Sequence, residues 1–324
     1  TKKIIKNFMK ADYFKVIRGG LNSTFQDQGR KNLYHIGIPF SGVMDNRNYL
    51  IANALLKKES NSAVIEFAYQ GPLLKYYGDK LFVAITGDVQ FKIIKDNKDI
   101  INGEPYKVYL IENGDQIDIQ STNKSVYGYL AISENLILDK IWDSISTNTK
   151  AKIGSNNGEK LSNNQQINIE HKNRNTSLTK LNYINSKIEY IRVLKATNFD
   201  YFSEKAKEIF FNKEFKVTKL SDRMGMRLEG QILENIVNTN IKSEGLVKGV
   251  VQVPSDGNPI IMLADHGTIG GYPKIANVIS ADFDKLAQMT PGSSIKFKEV
   301  SLDEAEKLFK FYNLETNNLI NQIS

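Results

Sequence analysis

The feature that most constrains this chain is a series of short apolar runs at close spacing, most of them alternating. In the first half they lie at 81–86, 106–111, 116–120 and 126–132. In the second half they lie at 188–194, 215–217, 247–253, 260–264 and 295–300. Alternation gives each run one face for a core and one for water, as antiparallel strands require. Short strands with few helices between them argue for barrels or sandwiches and against a wound parallel sheet. Asn113-Gly114 lies between two of the runs. Both residues tolerate positive φ, so a hairpin joining 106–111 to 116–120 is expected.

The chain has 324 residues, 41% of them hydrophobic, enough for one large or two medium domains. Four helices are expected. One spans 46–58, with Asp45 as its cap. Others span 198–211 and 282–289. The last, 302–312, has a capping box in Ser301 and Glu304, and Leu302, Ala305, Leu308, Phe309 and Tyr312 share one face. Between the halves, 150–187 is rich in Asn, Ser, Gln and Lys and has little apolar periodicity. It reads as a loop and linker in which His171 is merely solvated. The expected division is a first domain over 12–150, a polar linker over 151–187 and a second domain over 188–318, with exchange of segments between the two allowed. Pro39-Phe-Ser-Gly42 and Pro254-Ser-Asp-Gly257 echo each other, a faint sign of duplication.

The formal charge of +7 is scattered and not gathered in a stripe, so no nucleic-acid partner is expected. With no cysteine there is no disulfide, thiolate metal site or Cys nucleophile. The first fourteen residues are basic without an apolar centre, which argues against a signal peptide, and nothing approaches a membrane span. A cytoplasmic location and no membrane partner are the expectation. Residues 154–160 fail as a phosphate loop, because three residues separate the glycines and Glu159 precedes Lys160.

Two turns dense in charge, hydroxyls and glycine follow strand-like runs: Ser221-Asp222-Arg223-Met224-Gly225, and the loop from Ala264 to Lys274. Loops of this composition usually carry a site. Arg223 and Arg227 can clamp a carboxylate, or pair with Asp222 or Glu229. Of the histidines, no two have helical metal-site spacing. His35 is suited equally to strand packing and to proton transfer, whereas His266 opens a glycine-rich loop and is favoured for function. Asp27, Asp45, Glu66 and Asp222 have the chemistry of hard-cation ligands, with turn capping as their plainer role, and no metal site is assigned.

In these and further passages the chain resembles the biotin-dependent carboxyltransferase family (allophanate hydrolase subunit 2, the C-type subunit of 5-oxoprolinase). The matching blocks include Gln26-Asp27 with Gly29-Arg30, 37–45, Ala52-Asn53, Glu66, Gly71-Pro72, Thr86-Gly87-Asp88, 144–147, 221–228, 243–245, 252–260, 270–275 and 286–288. The resemblance implies a mainly β fold of two cyclophilin-like β-barrels with a few short helices. It also implies a heteromeric complex with a B-type partner, which is allophanate hydrolase subunit 1-like, and in some members an A-type partner as well. Met9-Lys10 looks like a biotin-bearing dipeptide, but it stands too near the start to belong to a carrier domain.

The resemblance further implies a subunit of an ATP-dependent 5-oxoprolinase, with Mg2+ accompanying the nucleotide, acting on a small lactam or amide. In that role Arg223 would hold a carboxylate, Asp265 or His266 would manage a proton, and Ser221, Gln252 and Thr268 would donate hydrogen bonds. Asp222, Tyr272, Lys274, His35 and Asp45 would complete the substrate site. The alternatives are carboxyl transfer from carboxybiotin to a urea-like acceptor and a non-catalytic regulatory role. The chain departs from the family pattern at His266 and Ile269, and at Ser133-Glu134-Asn135. The chemistry requires that the turns around 222 and 266 converge with the turn near 254 to line one wet crevice.

Overall fold

A computed structural model describes residues 12–172, 176–183, 188–237 and 240–323. Met9-Lys10 and parts of the expected linker lie outside the described residues. The first half runs β1 (Asp12–Arg18), β2 (Asn22–Gln26), α1 (Asn46–Leu55), β3 (Val64–Ala68), β4 (Leu73–Tyr77), β5 (Leu81–Thr86), β6 (Val89–Ile94), β7 (Ile100–Asn102), β8 (Val108–Ile111), β9 (Gln116–Thr122), β10 (Tyr127–Ile132), β11 (Asn135–Leu136) and β12 (Gln166–Glu170). These form two antiparallel sheets, one in the order β11-β12-β1-β4-β9-β6-β7 and one in the order β2-β3-β10-β5-β8.

The five-stranded sheet is buried on both faces. In β10, Leu130 and Ile132 join Ile65, Phe67, Val83 and Ile85 against Phe14, Tyr76 and Ile117 of the larger sheet. Tyr129 and Ala131 point the other way with Ala68 and Ala84, into a cluster shared by α1 and the second half. The period of two therefore sorts the strand between two cores, and the small side chains on the second face let α1 lie close over β5 and β10. Truncating Leu130 to alanine would cost about 2–5 kcal/mol.

The second half runs β13 (Ile191–Lys195), α2 (Glu204–Asn212), β14 (Phe215–Val217), β15 (Gly225–Glu229), β16 (Glu244–Gly245), β17 (Val250–Gln252), β18 (Ile260–Met262), β19 (Ile269–Gly270), β20 (Lys274–Val278), α3 (Phe283–Ala287), β21 (Ser294–Ile295), β22 (Phe297–Glu299) and α4 (Leu302–Asn321). Eight strands form one sheet in the order β21-β14-β15-β18-β17-β20-β13-β22, and β16 with β19 makes a separate ribbon. Phe202, Phe210, Phe215 and Phe297 fill this half, in a cluster continuous with the residues of α1. The architecture is mainly β, with a nearly closed barrel sheet. No helix among the described residues is long and apolar enough to cross a membrane.

Three expectations need correction. Asn113-Gly114 makes a turn but no hairpin: β8 pairs with β5, whereas β9 pairs with β4 and β6. Gly114, at φ 90°, gives its N–H to Tyr76 O, so the turn moves the chain from one sheet to the other. The stretch 151–187 is more than a linker. Its Ile167 and Ile169 are buried, and β12 adds to β1 with Asp12 opposite Ile169. The outward Gln166, Asn168 and Glu170 hide that strand in the composition. His171 is half-buried against Asp12 and not simply solvated. The helices stand close to where capping placed them, although α2 begins only at Glu204 and α4 continues to Asn321, past the expected boundary.

Candidate functional site

The loop before α1 forms the joint between the halves. Ser41 and Gly42 have φ of 56° and 82°, and a Cβ on Gly42 would meet the Gln28 backbone at 2.9 Å. This tight course presents Ser41 N–H to Ala264 O at 3.1 Å and Gly42 O to Arg223 at 2.6 Å. Arg223 binds Asp265 through two contacts of 2.8 and 3.1 Å and also contacts Glu66. Glu66 in turn accepts Met44 N–H at 2.7 Å. The three charged side chains are only 5, 1 and 4% exposed for Arg223, Glu66 and Asp265. Burial opposes the guanidinium charge, but Asp265 and Glu66 outweigh it and hold Arg223 above its ordinary pKa. Burial pushes Glu66 above its ordinary pKa, although Arg223 and the Met44 N–H pull against it.

His266 continues this joint. Its Nδ1 lies 2.6 Å from Gly267 O and its Nε2 lies 2.7 Å from Tyr34 Oη. A carbonyl can only accept, so Nδ1 carries the proton and Nε2 accepts from the tyrosine. Burial lowers the His266 pKa and keeps the ring neutral. Arg223, Asp265 and His266 therefore meet as expected, but in a buried contact where their side chains bond one another and neighbouring groups of the fold.

A second group gathers at the ribbon. Lys274 is ion-paired to Glu244, its N–H binds Asn198 Oδ1 at 3.1 Å, and Asn198 Nδ2 reaches Glu244 at 3.5 Å. Gln252 donates to Tyr272 O at 3.0 Å, while Thr268 O accepts Leu246 N–H. Gln252, Thr268 and Lys274 are buried, and Tyr272 is exposed. The turn near 254 belongs with this group, because Val253 N–H binds Pro273 O. It stands at the far end of β15 and β18 from Arg223, since Arg227 pairs with Ile260 and Gly225 with Met262. The single wet crevice expected around 222, 266 and 254 is thus not formed.

The remaining candidates are dispersed. Asp222 caps its own turn, accepting Met224 N–H at 2.8 Å and Gly225 N–H at 3.2 Å, and Ser221 Oγ accepts Arg227 N–H at 3.0 Å. His35 is exposed on a single turn of 3-10 helix over Tyr34–Ile36. Asp45 caps α1 and is buried. Asp27 caps the backbone at Gly29 and Ile145. Among the described residues no group of three His, Asp or Glu side chains is arranged to hold a metal. Residues 154–160 pack on the 144–148 turn: a Cβ on Gly154 would meet Ser146 O at 2.0 Å.

Sequence reasoning passed over a cleft of about 1110 Å3 between the halves. Asn48, Gly87, Asp88, Glu104 and Tyr106 face Lys285, Gln288 and Ser293 across it. Tyr106 donates to Asn48 Oδ1 at 2.7 Å and accepts Gly87 N–H at 3.2 Å. Asn48 and Gln288 both donate to Asp45 Oδ2, at 2.6 and 2.8 Å. Gln288 also accepts Val126 N–H and Tyr127 N–H at 3.0 and 2.8 Å. Asp45 therefore lies behind the wall and orients both amides. Burial, with Asp284 nearby, raises its pKa to about 7. The only sequence signals for these residues are the Asp45 cap and the 86–88 and 286–288 blocks, because the wall comes from many segments far apart in sequence.

Comparison with known proteins fits this two-part β architecture. The family model described as carboxyltransferase domain, subdomain A and B, matches residues 36–299. The C-type subunit of 5-oxoprolinase from Haemophilus influenzae is 35% identical over 286 residues, covering 88% of this chain and 91% of that one. The urea amidolyase of Saccharomyces cerevisiae is 26% identical over 311 residues, 89% of this chain but 17% of that far longer one. The crystal structure of the K. lactis urea amidolyase superposes with a TM-score of 0.86 at 24% identity, covering 98% of this chain and 20% of that one, a likeness of fold. With the match running from the 3-10 turn before α1 to the end of β22, this chain belongs to the carboxyltransferase domain family, subdomains A and B.

Proposed function

We propose that this chain is the C-type subunit of an ATP-dependent 5-oxoprolinase complex and that the cleft between its halves receives the lactam. What carries the reading is the near full-length similarity to a protein named as that component of 5-oxoprolinase. The cleft adds support as a sizeable concave surface, with convergent polar groups and a perturbed carboxyl just behind it. Lys124 and Lys285 stand at its wall as cations for a substrate carboxylate. Tyr106, fixed by Asn48 and Gly87, positions that wall. Asp265 and His266 have no part in this reading, since their polar atoms are occupied elsewhere.

No nucleotide site is assigned within this chain, since residues 154–160 fail the phosphate-loop pattern and no cluster among the described residues is arranged to hold magnesium. ATP and Mg2+ are therefore assigned to the junction with the B-type partner, with the A-type partner as a further member, in the cytoplasm. The test is 5-oxoproline-dependent ATP hydrolysis by the co-expressed pair. Tyr106→Phe should lower turnover about 10-fold with the melting temperature little changed, because the wall loses the hydroxyl that joins Gly87 N–H to Asn48 Oδ1. A folded complex with no turnover would remove the reading. The urea amidolyase similarity favours a second one, carboxyl transfer from carboxybiotin to a urea-like acceptor. Incubation with a purified carboxybiotinyl carrier separates the two, since only transfer consumes the carboxyl group.

A further inference from the structure

Lys248 belongs to none of the groups described above. It sits just before β17, next to Gly249, whose N–H binds Met262 O at 2.8 Å. The residue is exposed overall, yet its Nζ turns inward and lies 3.6 Å from the centre of the buried Phe283 ring. Among the described residues it has no ion pair and no hydrogen bond. It faces a cavity of about 250 Å3 lined by Asn46, Ser280, Phe283, Asp284, Phe309 and Tyr312. The acid of that cavity is already occupied. Asp284 accepts Asn46 N–H at 3.0 Å, Arg47 N–H at 2.9 Å and the Tyr312 hydroxyl. The rings of Phe309 and Tyr312 lie nearly parallel, 9° apart, and form an apolar wall.

We propose that this cavity is a binding site for a small ring-bearing carboxylate, whose oxygens take the Lys248 ammonium donors while its ring lies along Phe309 and Tyr312. A π face satisfies an ammonium only in part. An ammonium that meets a ring and makes no ion pair gains charge-assisted hydrogen bonds from a carboxylate. Burial and the Arg223 charge lower the Lys248 pKa to about 8, against the pull of Asp284, Glu66 and Asp45, so the group is cationic at pH 7. The volume lies below the usual range for drug-sized ligands, which restricts the occupant to one ring. The site is distinct from the cleft and does not depend on the proposed reaction.

The experiment titrates the full chain at pH 7 with benzoate and, separately, with neutral benzamide by calorimetry, in wild type and Lys248→Met. Soaking crystals of the wild type with 4-bromobenzoate locates the ligand by its anomalous signal. Expected are one benzoate per chain, at least tenfold weaker binding of benzamide and at least tenfold weaker benzoate binding by Lys248→Met, with bromine beside Phe309 and Tyr312. Equal binding of benzamide, unchanged binding by Lys248→Met, no binding at tens of millimolar, or bromine elsewhere would each overturn the proposal. Should Lys248→Met fail to fold, the bromine position and the benzamide ratio still decide.

Discussion

The joint around Arg223 and the cleft around Tyr106 both lie between the same two halves, yet they differ in what they leave available. At the joint, one guanidinium satisfies two carboxylates and a carbonyl, and His266 is held at both nitrogens. In the cleft, Asn48 and Gln288 are buried and bonded to Asp45, Tyr106 and the 126–127 backbone as well, but they line an open concave surface. Charge density alone therefore does not separate a fastening from a site. A dense buried network can be a fastening, and a site also needs a concave surface that a ligand can enter.

The sharpest way to break this contrast is Arg223→Met. Without the guanidinium, Glu66 and Asp265 stay buried with no cation in contact, which should cost about 3–5 kcal/mol and lower the melting temperature sharply. Adding Glu66→Gln should recover part of that loss, a coupling that a double-mutant cycle measures. If Arg223→Met melts like wild type and loses only activity, then the joint is a catalytic site and the contrast is wrong.

A smaller effect tests the cleft side. Asp45 has a folded pKa of about 7 against an ordinary 3.8, so the folded state holds its proton more tightly than the unfolded chain does. Its contribution is fully present below about pH 4 and is lost as pH rises through 7, a few kcal/mol by linkage. Melting temperature should therefore fall across that window, and Asp45→Asn should flatten the slope. An equal slope in both proteins would mean that other carboxyls set it, and that Asp45 is not the strained group behind the wall.

The two regions also differ in how much of them is legible in the sequence. The strand series, the helix caps and the mainly β class follow from local periodicity and short-range hydrogen bonding, which is why Leu81–Thr86 stands where its apolar run placed it and Phe215–Val217 where alternation did. Arg223 and Asp265 stand out because they lie in compact, glycine-bearing turns. That they are buried and mutually satisfied depends on Glu66 and Gly42, distant in sequence, and no local pattern encodes it. The cleft escapes sequence reading for the same reason: Asn48, Tyr106 and Gln288 are ordinary residues in ordinary elements, and only tertiary packing brings them together. The hairpin expected at Asn113-Gly114 failed because turn chemistry fixes a bend and not the partner of the strand that follows.

The mildest effect belongs to the 221–225 turn. Asp222 accepts two backbone N–H groups, and its second oxygen stands 3.9 Å from Lys150 Nζ with both side chains well exposed. Such an ion pair contributes little, so Asp222→Ala should cost about 1 kcal/mol, the worth of a turn cap. Asp222→Asn, which keeps the acceptor oxygen, should cost less than half as much. Chemical denaturation resolves the two if the slope stays unchanged. Because Asp222 lies on neither wall of the cleft, both variants should turn over substrate at the wild-type rate. A large loss of activity in Asp222→Asn would move the reacting site back to the 221–225 turn and reverse the assignment of joint and cleft.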